Sequence, residues 1–151
     1  GVDLIGHNME TVRELYPKIR KIADYDRSLN VLKILKEECV ADIGEANIRQ
    51  QALSNKIITK SGIMLGLGET DLQIKETLKD ILETGCDILT IGQYLMPSLG
   101  HYPVDRYVDE KEFEYWKHFA KDLGFRAVES APFVRSSYKA KEIYEDLNQG
   151  D

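Results

Sequence analysis

The chain has 151 residues, of which 42% are hydrophobic and 30% charged, and its net charge is −6 at neutral pH. That fits one soluble globular domain or part of a larger one, and it argues against nucleic-acid binding as the main task. No apolar run reaches the length of a membrane span, and no signal-peptide pattern opens the chain.

Cys39 and Cys86 are the only cysteines, and no CxxC or CxxxCxxC is present. No cysteine-based metal or cluster site is therefore expected within the chain. Both thiols read as reduced and buried, as in an intracellular protein. The opening residues, GVDLIGHNMET, look like the middle of a strand and its loop, so a partial or excised chain is expected.

Residues 2–5 form a short apolar run that ends at Gly6 and suits an interior strand. His7, Asn8 and Glu10 follow at once, where α/β proteins build their sites. Asn8 and Glu10 also fit a turn or cap and a favourable first-turn acid. Val12, Leu15, Tyr16 and Ile19 predict a short helix over 10–21, weakened by Pro17. A clearer helix is expected over 24–38, with Leu29, Leu32, Ile34 and Leu35 as its apolar stripe. Arg27 opposes the dipole near the start of that helix, which fits either a role outside the helix or simple solvation. Residues 39–56 are polar and poorly patterned, and read as a surface insertion.

The stretch 60–70, KSGIMLGLGET, organises the chain. Ile63, Met64 and Leu65 continue a strand begun near Ile57 and Ile58. Gly66 and Gly68 stop it, and Glu69 and Thr70 lead into a helix over 71–82. Such a junction is either a ligand cradle, with close backbone approach and free N–H groups, or a plain tight turn. Gly85 ends the helix. A strand is expected over 86–91, followed by Gly92, Gln93, Tyr94 and 95–97. Gln93 and Tyr94 fit a ligand-orienting role or ordinary rim packing equally well. Residues 98–107 read as an extended loop. A helix over 109–123 has Asp109 as cap, Gly124 as stop and His118 at the surface. Then come a last strand over 125–128, a serine-rich segment over 130–140 and a final helix over 141–147.

Several segments together resemble the lipoyl synthase family of radical S-adenosylmethionine enzymes: GHNMETV at 6–12, ADYDRSL at 23–29, TKSGIMLGLGET at 59–70, LTIGQYLMPS at 89–98, HYPVDRYV at 101–108, LGF at 123–125 and PFVRSSY at 132–138. The resemblance covers almost the whole chain and corresponds to the C-terminal half of the family. It implies an α/β fold, the C-terminal half of a partial parallel (β/α)6 TIM-type barrel over 1–129, with a C-terminal extension over 130–151 that carries RSSY. It implies insertion of two sulfur atoms, at C6 and C8, into an octanoyl chain on a lipoyl carrier domain. That carrier is the H protein or the E2 lipoyl domain of a 2-oxoacid dehydrogenase. One 4Fe-4S cluster cleaves S-adenosylmethionine to a radical, and a second 4Fe-4S cluster is consumed as sulfur donor.

By the same resemblance, Gly62, Met64, Gly66 and Glu69 match the GxIxGxxE pattern that lines the adenine pocket. Asn8 and Glu10 match the ribose-side polar group, and Arg27 the residue that meets the methionine carboxylate. Gln93, Tyr94, Leu95 and Met96 match the loop at the adenine edge. Ser137 matches an unusual serine ligand of the auxiliary cluster, with Arg135 beside it balancing charge. The family's cluster-binding cysteines have no counterpart here. The isolated chain is therefore expected to be inactive and to hold no cluster stably, and to need the N-terminal half of the barrel as a partner. A non-catalytic remnant that binds a carrier or a barrel partner, and a small module binding a nucleotide at Gly66–Gly68, are the alternatives. Neither nucleic acid nor membrane is an expected partner. The compartment is cytoplasm in a bacterium, and mitochondrion or plastid in a eukaryote.

Overall fold

The computed structural model describes residues 4–41, 58–135 and 140–149. Four apolar, β-branched runs form the sheet: β1 (Leu4–Gly6), β2 (Ile58–Leu65), β3 (Ile88–Gln93) and β4 (Ala127–Ser130). Every neighbouring pair is parallel, and the strands lie in sequence order β1-β2-β3-β4. Parallel neighbours need crossovers, and helices supply them. They are α2 (Tyr25–Ala41) before β2, α3 (Asp71–Glu83) before β3 and α4 (Glu110–Leu123) before β4. A short α1 (Tyr16–Ile19) precedes α2, and α5 (Ala140–Gln149) follows β4. The described residues thus form an α/β layer with one parallel sheet.

Strand alternation sorts the side chains onto two faces. Ile63, Leu65, Leu89, Ile91 and Val128 meet Ile74, Leu78 and Ile81 of α3 and Phe113, Trp116 and Ala120 of α4 in the main core. The second face carries Ile58, Lys60, Gly62 and Met64 from β2, in register with Ile88, Thr90 and Gly92 of β3. Ile143 of α5 packs against Ile58 and Ile88 at the start of these strands.

The caps follow the sequence. Thr70 and Gln73 form a reciprocal capping box at α3, and Asp109 accepts from the Glu112 N–H at α4. Gly85 has φ 84° and Gly124 has φ 131°, the left-handed turns that close α3 and α4.

Several boundaries differ from expectation. The helix expected over 10–21 is a 3₁₀ turn, Arg13–Leu15, followed by the single turn of α1. Pro17 sits in the first turn of α1, where its missing N–H costs nothing, so it starts the helix rather than weakening one. Glu10 is no first-turn acid: it has φ 71° and bridges to Ile63 of β2. α2 runs on to Ala41, so residues 39–41 belong to the helix and not to an insertion. Positions 42–57 lie outside the described residues. Ile34 is 37% exposed and leaves the apolar stripe. β3 and β4 each start two residues later than expected, and Gln93 is the last residue of its strand rather than the loop beyond it. His118 is exposed, as expected, and pairs with Glu114 one turn away.

Candidate functional site

A cleft lies on the second face at the C-terminal ends of the strands. Asn8, Glu10, Gly62, Met64, Thr90 and Arg135 line it, with Ile63, Gly92 and Val134, and its volume is about 110 Å3. Four separate stretches build it. Residues 7–11 are held against β2 by backbone bonds: Glu10 N–H donates to the Gly62 carbonyl at 2.9 Å, and Met64 N–H to the Glu10 carbonyl at 2.9 Å. Met9 anchors the stretch. It is fully buried, and its carbonyl accepts from Tyr16 Oη at 2.6 Å. The left-handed backbone of Glu10 is costly for a non-glycine residue, by roughly 1–3 kcal/mol, and these bonds hold it in place.

Two glycines open the cleft. A Cβ on Gly62 would collide with Thr90 Oγ1 and come within 3.4 Å of Asn8 Oδ1. A Cβ on Gly92 would collide with the Val134 carbonyl, because the chain after β4 folds back over it. That return is fixed by Ala131 N–H to the Ile91 carbonyl at 3.1 Å and Gln93 N–H to the Pro132 carbonyl at 3.2 Å. Arg135 Nη1 donates to the Val134 carbonyl at 2.8 Å, which holds the guanidinium at the cleft's rim. Beside the cleft, His7 Nε2 is buried without a hydrogen-bond partner among the described residues. Burial lowers the pKa of His7, Arg20 lowers it further, and Glu10 opposes them. The cleft therefore offers an amide, a carboxylate and a guanidinium around exposed backbone, a set suited to hydroxyl and amino groups.

The glycine loop at 66–68 is braced from within. Glu69 is buried, and its two carboxylate oxygens accept the Gly66 N–H at 2.8 Å and the Leu67 N–H at 2.9 Å. The Gly66 carbonyl takes the Asp105 N–H at 2.8 Å. A Cβ on Gly66 would collide with Gln93 Nε2, so this glycine serves internal packing. The loop is a tight turn whose Gly66 and Leu67 N–H groups are already taken by Glu69.

The side chain of Gln93 is likewise occupied by backbone. It donates to the Tyr94 carbonyl at 2.9 Å and the Arg106 carbonyl at 3.0 Å, and accepts from the Val108 N–H at 2.9 Å. Tyr94 Oη donates to the Tyr102 carbonyl at 2.7 Å. Leu95 and Met96 are exposed, at 45% and 37%. Arg27 is exposed on the first turn of α2 and does not line the cleft. Of the positions singled out from sequence, the cleft brings together Asn8, Glu10, Gly62, Met64 and Arg135. Gly66, Glu69, Gln93 and Tyr94 instead brace the turns behind it. Ser137 lies outside the described residues. Thr90, Gly92 and Val134 were missed. The signal for the first two was a polar residue and a glycine two positions apart in an apolar strand, hence on one face.

A wider groove on the helix side is lined by Glu69, Asp71, Arg106, Asp109, Lys111 and Glu112, with Tyr115 and Trp116. Glu69 is taken by its own loop, and Trp116 Nε1 donates to Glu112. Arg106 grips Glu112 through two bonds of 2.7 and 2.8 Å, which holds the Glu112 carboxyl below its usual range.

Among the described residues no group of His, Cys, Asp and Glu is placed to hold a metal ion, and no helix is long and apolar enough to cross a membrane. Cys86 is buried, its thiol points at the Thr59 and Ile88 carbonyls, and burial pushes its pKa up to about 12. A protonated, enclosed thiol is a poor nucleophile.

No family model matches the chain. Curated relatives do. It is 49% identical over 140 residues to the lipoyl synthase of Caldicellulosiruptor saccharolyticus, covering 93% of this chain and 44% of the relative. It is 48% identical over 145 residues to the mitochondrial lipoyl synthase of Schizosaccharomyces pombe, covering 95% of this chain and 35% of the relative. The lipoyl synthase of Caldicellulosiruptor bescii is 44% identical over 150 residues, 97% of this chain and 46% of the relative. The chain thus spans less than half the length of these relatives, but nearly all of it is matched. With matches of 44% to 49% identity over 93% to 97% of its length, the chain belongs to the lipoyl synthase family.

Proposed function

We propose that the chain supplies one wall of the S-adenosylmethionine pocket of a lipoyl synthase, whose sheet continues past β1 toward a (β/α)6 barrel. The observation that carries this reading is the convergence of Asn8, Glu10, Gly62, Met64 and Arg135 on one cleft at the C-terminal strand ends. Family membership supports a role in lipoate biosynthesis. The cleft's about 110 Å3 is small beside the ~300–1,000 Å3 of pockets that enclose a drug-sized ligand. It fits a part of S-adenosylmethionine, and the opposite wall comes from the continued sheet.

In this reading, bound S-adenosylmethionine supplies the hydrogen-abstracting chemistry. This chain's residues do the positioning. The Asn8 amide and the Glu10 carboxylate take ribose hydroxyls or the amino group, and the missing side chains at Gly62 and Gly92 let the ligand lie against backbone. Met64 gives an apolar contact, and Arg135 places positive charge at the rim. Glu69, Gln93 and Tyr94 act through these residues by fixing the turns beneath them.

The iron–sulfur clusters find no ligand set among the described residues. Ser137 is assigned to the sulfur-donating cluster, and Arg27 to the methionine carboxylate, by resemblance alone. An octanoylated lipoyl carrier is the proposed substrate, with sulfur insertion at C6 and C8. The test is co-expression of this chain with the part of the C. saccharolyticus enzyme outside the matched region. The complex is reconstituted with iron, sulfide, S-adenosylmethionine and a reductant, and given octanoylated H protein. Lipoyl formation that is lost with Gly62→Val supports the proposal. An assembled complex that makes no lipoyl group refutes it.

A further inference from the structure

Lys60 stands in the middle of β2 and is 5% exposed. Its pKa is lowered by burial, with no charged neighbour contributing. Among the described residues its ammonium has neither a hydrogen bond nor an ion pair. A lysine with so little surface left to water and no counter-charge is disfavoured, and lysines this enclosed are normally paired.

The surroundings of Lys60 are asymmetric. Alternation places it on the second face, below the cleft, between Ile58 and Gly62. On the β3 side its register partner is Ile88, which closes that flank with a full side chain. On the β1 side its partner is Gly6. A Cβ there would stand 3.7 Å from Lys60 Cβ, so the absence of a side chain leaves a lane beside the lysine stem. The lane leads to the outer edge of β1, which no described strand pairs. Strands lie ~4.8 Å apart, so a strand beyond β1 would run roughly 10 Å from β2. A lysine and an acidic side chain together span that distance once nothing projects from the strand between them.

We infer that Lys60 is the cationic half of an ion pair completed by an acidic side chain, carried on a strand that pairs with the free edge of β1 in register with Gly6. The occupant is a polypeptide strand rather than a small anion, because the lane past Gly6 points along the sheet to a strand edge, and a strand edge is a template for another strand. More than half the length of each relative described above lies outside the match, which is ample chain for such a strand. The inference rests on the proposed continuation of the sheet past β1.

The experiment co-expresses the 151-residue chain with the part of C. saccharolyticus lipoyl synthase outside the matched region. Dissociation of the purified complex is measured by sedimentation, alongside the Lys60→Met and Lys60→Arg variants. The wild-type chain is expected to associate, Lys60→Arg to retain association, and Lys60→Met to dissociate roughly tenfold more readily. Carbon-13 NMR of the lysine side chain should show the Lys60 pKa rising on association. The isolated Lys60→Met chain should resist urea at least as well as wild type, since it loses an unpaired buried charge. A wild-type chain that fails to associate sinks the continuation of the sheet. A Lys60→Met chain that associates as tightly as wild type sinks the ion pair while leaving that continuation standing.

Discussion

Asp87 offers the sharpest test of how the strand starts are held, because one carboxylate joins four segments there. Its Oδ2 accepts from Lys36 Nζ of α2 at 2.6 Å, the Thr59 N–H of β2 at 2.8 Å and Thr59 Oγ1 at 3.2 Å. Its Oδ1 lies 3.6 Å from Arg126 Nη1, just before β4. Asp87→Ala would strip the acceptor from Thr59, which is fully buried, so its N–H cannot turn to water. Losing a bond from a buried N–H to a charged group costs roughly 1.5–3 kcal/mol. The Lys36 side chain is 28% exposed and regains water on release. Its pair therefore adds only about 1 kcal/mol, and the more exposed Arg126 adds less. The sum is about 3–4 kcal/mol, against a total stability of ~5–15 kcal/mol. At roughly 2–4 °C per kcal/mol for a chain of this size, the melting temperature should fall by about 10 °C. Asp87→Asn keeps an acceptor for the Thr59 N–H and should lose about half as much. Thermal unfolding followed by circular dichroism reads both variants. A drop of less than about 2 °C for Asp87→Ala would refute the reasoning, because that buried donor would then have found another partner.

Four further outcomes follow from the geometry. Gln93→Leu leaves the Val108 N–H and the Arg106 carbonyl without their bonds, and should cost about 2–4 kcal/mol in urea unfolding. Cys86 should resist thiol reagents at pH 8 until the chain unfolds. Burial pushes its folded pKa up to about 12, above the ordinary thiol value of 9.0, so the folded state holds the proton longer and stability should fall as pH rises from 9.0 towards about 12. A stability that rises over that window would contradict the buried thiol. In a complete lipoyl synthase, Ser137→Ala should impair sulfur insertion more than S-adenosylmethionine cleavage, and equal loss of both rejects its role. Arg27→Ala there should weaken S-adenosylmethionine binding, and an unchanged affinity rejects an assignment that rests on resemblance alone.

Strand and helix identities were legible wherever one residue type had only one good use. Asp109, Gly85 and Gly124 marked helix ends by chemistry that acts locally, and the structure uses each of them. The cleft was legible in half its lining, Asn8 and Glu10 because polar residues follow β1, and Gly62, Met64 and Arg135 only through the family resemblance. What stayed hidden depends on contacts distant in sequence. Nothing local says that the Glu69 carboxylate turns back onto its own loop and takes the Gly66 and Leu67 N–H groups. Nor does the 10–21 stretch announce that Glu10 takes a left-handed backbone to bond with β2. Pro17 misled because its effect reverses between a helix interior and a first turn.

Where S-adenosylmethionine touches the chain is the direct question. Nitrogen-15 NMR of the isolated chain, titrated with S-adenosylmethionine, should move the amides of Glu10, Gly62, Met64 and Gly92 and leave Gly66, Leu67 and Gly68 still. Shifts confined to 66–70, with the amides around Gly62 and Gly92 silent, would place the ligand on the turn that Glu69 fills and contradict the account.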